Sequence, residues 1–241
     1  TNKSLKRKIF LSVAKGVEGN SFKRPSEIIK EELNDVKTAV LSGPTIAKEV
    51  VSEIPTACVI ASENKYTAKK LQKIVSTPRF RVYYHHDVIG VELGGALKNI
   101  IAIACGISDG LGFGTNTKAA ILSRGLVEIA RFGKKLGAKE VTFSGISGLG
   151  DLATTCFSPY SRNRFVGEKI GKGSKLKNIL AKMNMVAEGI NTVKSVYFLS
   201  KKKKIDMPIT KEVYLVLYKN KSPKAAVRDL MSRPLKPEIS R

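Results

Sequence analysis

The chain has 241 residues, of which 42% are hydrophobic and 7% aromatic, so it is long enough to bury a substantial core in one or two domains. No apolar run reaches the uninterrupted ~20 residues of a transmembrane helix, so we expect no membrane span. The formal net charge of +23 permits binding to nucleic acid, to an anionic surface or to a small anionic substrate, and does not choose among them.

The first part of the chain, residues 1–87, has the pattern of a mixed α/β domain. Short apolar runs that end at turn residues alternate with segments of helical periodicity, which predicts part of a parallel sheet with covering helices. The predicted strands are residues 8–14, 36–42, 55–62 and 79–84, and the predicted helices are residues 26–33 and 68–75.

From residue 88 onward the pattern changes to consecutive helices, which predicts an all-α domain over residues 88–241. Glycine-rich links are expected after the first two helices, at 106–114 and near 145–150. The four lysines 201–204 follow a helical pattern and suit a helix C-terminus, where cations are favourable. The predicted helices are residues 88–105, 117–136, 163–170, 176–199, 208–218 and 223–231.

Cysteine and histidine usage gives no sign of a metal site. Cys58, Cys105 and Cys156 are odd in number and form no CxxC pair, which argues against a disulfide framework and a zinc site. Cys58 and Cys105 lie in apolar runs and are expected in the core, in keeping with a reducing cytoplasm. His85 and His86 are adjacent, so they make a poor chelating pair.

Lys98 lies in the longest apolar stretch of the chain, residues 88–105. A helix that is apolar on nearly every side is normally buried. A buried ammonium is either paired with a carboxylate or has its pKa lowered toward the range in which it can exchange protons near neutrality. Lys98 could equally extend to the surface along its aliphatic stem, so the residue alone leaves a structural and a catalytic role open.

A second candidate site lies in the segment from Gly145 to Arg164. Ser158-Pro159 and Ser161 are helix-start signals, so Arg162 and Asn163 are expected in a first helical turn. Free backbone N–H groups and a guanidinium there would suit a phosphate-sized anion, although a helix start with surface arginines is the commoner arrangement. Asp151 could form a turn within the glycine-rich segment or be the carboxylate that Lys98 requires.

Two further segments are candidates for ligand-binding loops. The glycines of residues 106–114 do not form GxGxxG, which would need glycine at Thr115, and they link two helices instead of following a strand. Residues 41–49 form a strand-turn-helix junction, the kind of place where ligands bind at the carboxyl end of a sheet. Lys15 follows another predicted strand end, and either junction could also be an ordinary turn.

Taken together, these motifs resemble the NAD(P)-dependent glycerol-3-phosphate dehydrogenases of the bacterial type. GALKN followed by GLGDL and then SRNR is highly specific. The resemblance implies a partial Rossmann domain (residues 1–87) and an all-α domain like the C-terminal domain of 6-phosphogluconate dehydrogenase (residues 88–241). The matching segments, in family order, are residues 12–18, 41–50, 90–121, 147–156, 158–167 and 185–192.

The resemblance implies reversible hydride transfer between sn-glycerol 3-phosphate and dihydroxyacetone phosphate with NAD or NADP, in a cytoplasmic homodimer that supplies phospholipid synthesis. It makes Lys98 the proton acceptor at the carbinol oxygen. The small three-carbon phosphorylated substrate would contact Lys15, Gly43, Thr45, Lys98, Asn99, Asp151, Thr155, Ser161, Arg162 and Asn163. The cofactor would contact Lys15, Ala47, Arg162, Val186 and Glu188.

The sequence departs from the family in lacking an initial strand, GxGxxG turn and helix. We therefore expect a fragment with an incomplete cofactor site, without the segment that chooses NAD or NADP. Thr115 is a milder departure, because an acidic or amide residue is expected there.

Two alternatives stay open: another dehydrogenase with a helical second domain, of the 6-phosphogluconate or 3-hydroxyacid type, and a basic nucleic-acid-binding module. The second lacks aromatic platforms and known motifs, so no nucleic-acid partner is expected.

Overall fold

A computed structural model describes residues 5, 8–19, 21–34, 36–183 and 186–238. A four-stranded sheet with short helices is followed by a group of helices, which confirms the predicted fold class. The strands are β1 (Ile9–Ser12), β2 (Lys37–Ser42), β3 (Thr56–Ala61) and β4 (Phe80–His85). The helices are α1 (Pro25–Glu32), α2 (Ala47–Val51), α3 (Lys65–Val75), α4 (Val88–Gly110), α5 (Thr115–Lys135), α6 (Asp151–Phe157), α7 (Arg162–Gly171), α8 (Leu176–Leu180), α9 (Glu188–Lys202), α10 (Pro208–Tyr218) and α11 (Pro223–Met231).

The sheet has the order β1-β2-β3-β4, and it is mixed, so the prediction of a parallel sheet is wrong for one pair. β1 and β2 are parallel, as are β3 and β4, whereas β2 and β3 are antiparallel. Helix α2 has five residues and is about 7.5 Å long, which is too short to return the chain along a six-residue strand of about 20 Å. The chain therefore enters β3 in the reverse direction.

Helix α4 forms the centre of the helical part and is buried on nearly all sides, as its composition predicts. Its N-cap, Asp87, accepts hydrogen bonds from Gly90 N–H (2.9 Å) and from the hydroxyl of Thr142 (2.6 Å). The helix continues to Gly110, so the prediction of a glycine-rich link from residue 106 is wrong. By length and composition α4 could cross a membrane, but 94% of its most apolar window is buried inside the protein.

The glycines that suggested a link instead allow α4 and α7 to cross at close range. A Cβ at Gly106 would lie 2.0 Å from the carbonyl oxygen of Arg164, and one at Gly167 would lie 2.1 Å from that of Ile103. One turn further along, Gly110 and Gly171 are packed in the same way. Only glycine permits this backbone contact, and it brings α7 alongside the C-terminal part of α4.

The later helices follow the sequence prediction with two exceptions. Helix α6 lies in a segment where the sequence predicted a glycine-rich turn and no helix. Residues 176–199 form two helices, α8 and α9, and not one continuous helix. Helix α9 ends at Lys202, so the four lysines do lie at a helix C-terminus as predicted, and Lys204 has a left-handed backbone with φ of 54°. Helices α10 and α11 have the predicted bounds.

Candidate active site

A cleft of about 510 Å³ lies between the sheet part and the helical part of the chain. Its walls come from segments far apart in sequence: the end of the β1 strand, the turn after β2, the middle of α4, helix α6, and the starts of α7 and α9. The lining residues are Lys15, Thr45, Ile46, Ala47, Lys48, Lys98, Asn99, Asp151, Thr154, Thr155, Ser158, Tyr160, Ser161, Arg162, Asn163, Val186 and Glu188.

Asp151 joins two lysines at the floor of this cleft. One carboxylate oxygen, Oδ1, accepts a hydrogen bond from Lys98 Nζ, and the other, Oδ2, accepts one from Lys15 Nζ at 2.7 Å. The Asp151 side chain is 2% exposed and that of Lys98 is 9% exposed, so their ion pair is shielded from water. Lys98 Nζ also donates to the hydroxyl of Thr155 at 2.8 Å. The alternative that Asp151 is the partner of Lys98 is therefore the correct one.

Lys98 is placed between opposing electrostatic effects. Its pKa is lowered from 10.5 to about 8 as the net result of burial, which lowers it, of the charge of Asp151, which raises it, and of the nearby ammonium of Lys15, which lowers it. Burial has the largest effect, so the pKa lies close to neutrality. Both the protonated and the neutral amine are accessible there, and the group can give or take a proton.

Local backbone geometry fixes the positions of these lysines. Lys15 Nζ donates to the carbonyl oxygen of Gly43 at 3.0 Å as well as to Asp151. Gly43 has φ of 143°, and a Cβ there would lie 3.0 Å from the Cα of Cys58, so the turn after β2 requires glycine. On the other side, Thr155 donates to the Asp151 carbonyl oxygen at 2.7 Å, which orients its hydroxyl to accept from Lys98.

The start of α7 forms another part of the cleft lining. Ser161 is its N-cap and accepts from Arg164 N–H at 3.2 Å, so Arg162 and Asn163 lie in the first turn as predicted. Ser158 does not start the helix, since it follows the last residue of α6. Asn163 Oδ1 accepts from Gly189 N–H at 3.0 Å. The amide NH₂ of this buried side chain is therefore the part that remains to donate within the cleft.

The cleft is lined by all the residues proposed from the sequence except one. Gly43 does not line it and acts through Lys15 instead. Ile46, Lys48, Thr154, Ser158 and Tyr160 also line the cleft, and none was proposed from the sequence as a site residue. Lys48 and Tyr160 directly neighbour proposed residues, which is the signal that could have suggested them.

None of the three cysteines lines this cleft. Cys58, Cys105 and Cys156 are buried free thiols, which confirms the core placement expected for the first two. Among the residues that the structure describes, no group of three or more His, Cys, Asp or Glu could hold a metal ion. The chemistry available to the cleft is that of lysines, one shared carboxylate and a helix N-terminus.

Comparison with known proteins agrees with this geometry. A family model described as NAD-dependent glycerol-3-phosphate dehydrogenase N-terminus matches residues 1–68, and the model of the C-terminus matches residues 87–228. The chain belongs to the NAD-dependent glycerol-3-phosphate dehydrogenase family. The resemblance seen in the sequence is thereby confirmed, and the chain is related to oxidoreductases that use NAD or NADP.

Curated relatives and a crystal structure support the assignment to this dehydrogenase family. Proteins named glycerol-3-phosphate dehydrogenase (NAD(P)+) from Syntrophotalea carbinolica and a Thermoanaerobacter species are 51% and 54% identical, each across 96% of this chain and 70% of the relative. A crystal structure of glycerol-3-phosphate dehydrogenase from Coxiella burnetii matches with a TM-score of 0.89 at 41% identity. That match covers 92% of this chain and 68% of the other.

Proposed function

We propose that this chain carries the substrate site for the interconversion of sn-glycerol 3-phosphate and dihydroxyacetone phosphate with NAD or NADP. One observation carries the proposal: the same cleft is lined by a lysine whose pKa lies near neutrality and by the N-terminus of a ten-residue helix with Arg162 and Asn163 in its first turn. A phosphorylated three-carbon alcohol offers a carbinol oxygen to the lysine and a phosphate to the helix N-terminus.

Lys98 is assigned the proton transfer. An ammonium has three donors, and Asp151 and Thr155 take two of them, which leaves one for the substrate oxygen in the cleft. In ketone reduction the ammonium gives a proton to the oxygen, and in alcohol oxidation the neutral amine accepts it. Lys15 and Asn99, which also line the cleft, are assigned to orient the oxygen-bearing end of the substrate.

The phosphate end is assigned to Ser161, Arg162 and Asn163. The first N–H groups of a helix lack intrahelical partners and bind anions, and a guanidinium adds a charged hydrogen bond. The Asn163 amide is oriented by Gly189 so that its NH₂ is available to a phosphate oxygen. Thr45 is proposed to contact the substrate from the opposite wall.

For the cofactor, we propose contacts with Lys15, Ala47, Arg162, Val186 and Glu188, all of which line the cleft. Val186 is 66% exposed, so an apolar surface is available to cover a planar ring. A bound nicotinamide would supply the hydride chemistry. The 241 residues contain no strand followed by GxGxxG, the usual pyrophosphate loop, so we propose that they bind substrate but hold an incomplete dinucleotide site.

We also propose the wider setting that the family resemblance implied. The division at residues 87 and 88 would separate the sheet part from the substrate-binding helical part. The protein would act in the cytoplasm as a homodimer without a membrane span, and its product would serve phospholipid synthesis. The burial of α4 within the fold supports the absence of a membrane span, and the three free thiols support a reducing compartment.

Calorimetric titration of the chain with sn-glycerol 3-phosphate tests the proposal. Wild type is expected to bind it more tightly than inorganic phosphate, because only the former offers a carbinol oxygen to Lys98. Lys98→Met should weaken binding about fivefold to tenfold, as expected for the loss of one hydrogen bond from a charged donor, and leave inorganic phosphate unaffected. Lys177→Met, in exposed α8, is the matched control and should bind as wild type does.

Two results would contradict the proposal. If wild type fails to bind sn-glycerol 3-phosphate, the chain has no substrate site. If wild type binds this compound and inorganic phosphate with equal affinity, Lys98 has no role in binding the carbinol oxygen. NADH-dependent reduction of dihydroxyacetone phosphate by these 241 residues alone would contradict the incomplete cofactor site without affecting the substrate assignment.

A further inference from the structure

The charges of the cleft are not balanced within the protein. Its lining has four cationic side chains, from Lys15, Lys48, Lys98 and Arg162, and two carboxylates, from Asp151 and Glu188. Lys15 and Lys98 share Asp151. Within the described residues, neither Lys48 nor Arg162 lies within ion-pair distance of a carboxylate, so two positive charges in the cleft remain for an incoming anion.

Lys48 is held near the start of α7 by an aromatic ring. Its Nζ lies 5.1 Å from the centroid of the Tyr160 ring, which is a cation–π contact. Lys48 belongs to α2, on the sheet side, whereas Tyr160 lies in the link that leads into α7. The contact therefore spans the cleft and places the ammonium beside the segment that carries Ser161 and Arg162.

We propose that Lys48 is a second cationic ligand for the substrate phosphate and that Tyr160 positions it. This inference rests on the proposed function, because it concerns the same substrate. The phosphate of a monoester has a second pKa of ~6 and carries nearly two negative charges at neutral pH. Lys48 and Arg162 supply two matching positive charges from opposite walls, and the Asn163 amide and the helix N–H groups supply neutral donors.

Two positive charges also give the cleft a means of selection. A substrate with a single negative charge, such as a 3-hydroxy acid of similar size, would leave one of the two cations without a counter-charge. A phosphate monoester dianion satisfies both. Lys48 thereby favours a phosphorylated alcohol over a carboxylated one, a choice that Arg162 alone makes less strongly.

The inference is tested by calorimetry with sn-glycerol 3-phosphate on four variants. Lys48→Met should weaken binding about tenfold at pH 7.5, as expected for losing a charged partner of the anion. Tyr160→Leu should weaken it about threefold by releasing Lys48, whereas Tyr160→Phe keeps an aromatic ring and should bind as wild type does. Lys177→Met removes one surface charge outside the cleft and should change nothing.

A pH comparison separates charge matching from a structural role. Wild-type affinity should fall from pH 7.5 to 5.5 as the phosphate gains a proton, and the fall should be smaller in Lys48→Met, which already lacks one of the matching charges. Unchanged binding in Lys48→Met, or equal losses in Lys48→Met and Lys177→Met, would overturn the inference while the substrate assignment stands. Failure of wild type to bind would overturn both.

Discussion

Asp151 serves two ammonium groups at once, and this explains how a lysine can be buried in so apolar a helix. The carboxylate keeps Lys98 oriented, and the competing charge of Lys15 together with burial keeps the pKa of Lys98 at about 8. The sequence predicted that the helix around Lys98 is buried, because it is apolar on nearly every side, and left open whether the ammonium itself reaches the surface. It could not choose Asp151 as its partner, since the two residues are 53 positions apart and meet only through the packing of α6 on α4.

The depressed pKa of Lys98 predicts a pH dependence of folding stability. The pKa is 10.5 for the ordinary side chain and about 8 in the folded protein, so the folded state binds fewer protons between these values. The free energy of unfolding should therefore rise with pH from 8 to 10.5, by about 3 kcal/mol at most at ~1.4 kcal/mol per pKa unit. This stabilisation is complete above pH 10.5 and is lost as the pH falls through 8.

Urea denaturation of wild type and Lys98→Met at several pH values measures this effect. Other lysines titrate in the same range, so the relevant quantity is the difference between the two proteins, which should increase in favour of wild type between pH 8 and 10.5. Lys177→Met should keep the wild-type slope. Parallel curves for wild type and Lys98→Met would show that Lys98 keeps an ordinary pKa.

At the scale of elements, the crossing of α4 and α7 brings the two ends of the site together. The glycines at 106, 110, 167 and 171 let the two backbones touch. In the sequence, the first of these glycines predicts the start of a link, because glycine is a poor helix former in isolation. The space that α7 requires is a tertiary contact, which a local pattern does not show. The short α2, after which β3 runs in the reverse direction, was likewise not predicted.

Gly167→Ala should therefore destabilise the protein strongly. The added Cβ would lie 2.1 Å from the Ile103 carbonyl oxygen, and backbone cannot move aside as a flexible side chain can. We expect a loss of about 3 kcal/mol in unfolding free energy and weaker binding of sn-glycerol 3-phosphate, because α7 would shift. Gly19→Ala, with nothing within 4 Å of the added atom, is the control. Near-wild-type stability of Gly167→Ala in thermal melts would contradict the close crossing.

For the molecule as a whole, the net charge of +23 has two separate consequences. Four cationic side chains line the cleft and are proposed to serve a small anion, while most of the others lie outside it. The sequence could not divide the charge in this way, because the division depends on which segments fold around the cleft. For the whole molecule, the sequence did predict the order of elements and the family motifs, because both can be recognised without knowing which residues are in contact.

The dispersed charge predicts weak, unspecific attraction to nucleic acid. Any affinity for double-stranded DNA at 50 mM salt should fall by orders of magnitude at 200 mM, since it would arise from counterion release, and should be the same for unrelated sequences. Fluorescence anisotropy with two labelled duplexes measures this. A marked preference for one duplex that persists at 200 mM salt would instead favour the nucleic-acid-binding alternative.

Under the proposed substrate assignment, the glycine crossing also sets the size of molecule that the cleft accepts. Lys98 and Gly106 are eight residues apart on one helix, which is about 12 Å along its axis. The proposed proton-transferring amine and the helix proposed to bind the phosphate are thus held at a separation that helix α4 fixes. Inserting one residue between them would turn Lys98 by about 100° relative to the crossing, out of the cleft. The loops around the cleft can therefore vary in sequence and length, whereas the separation set by α4 cannot increase in small steps to fit a longer substrate.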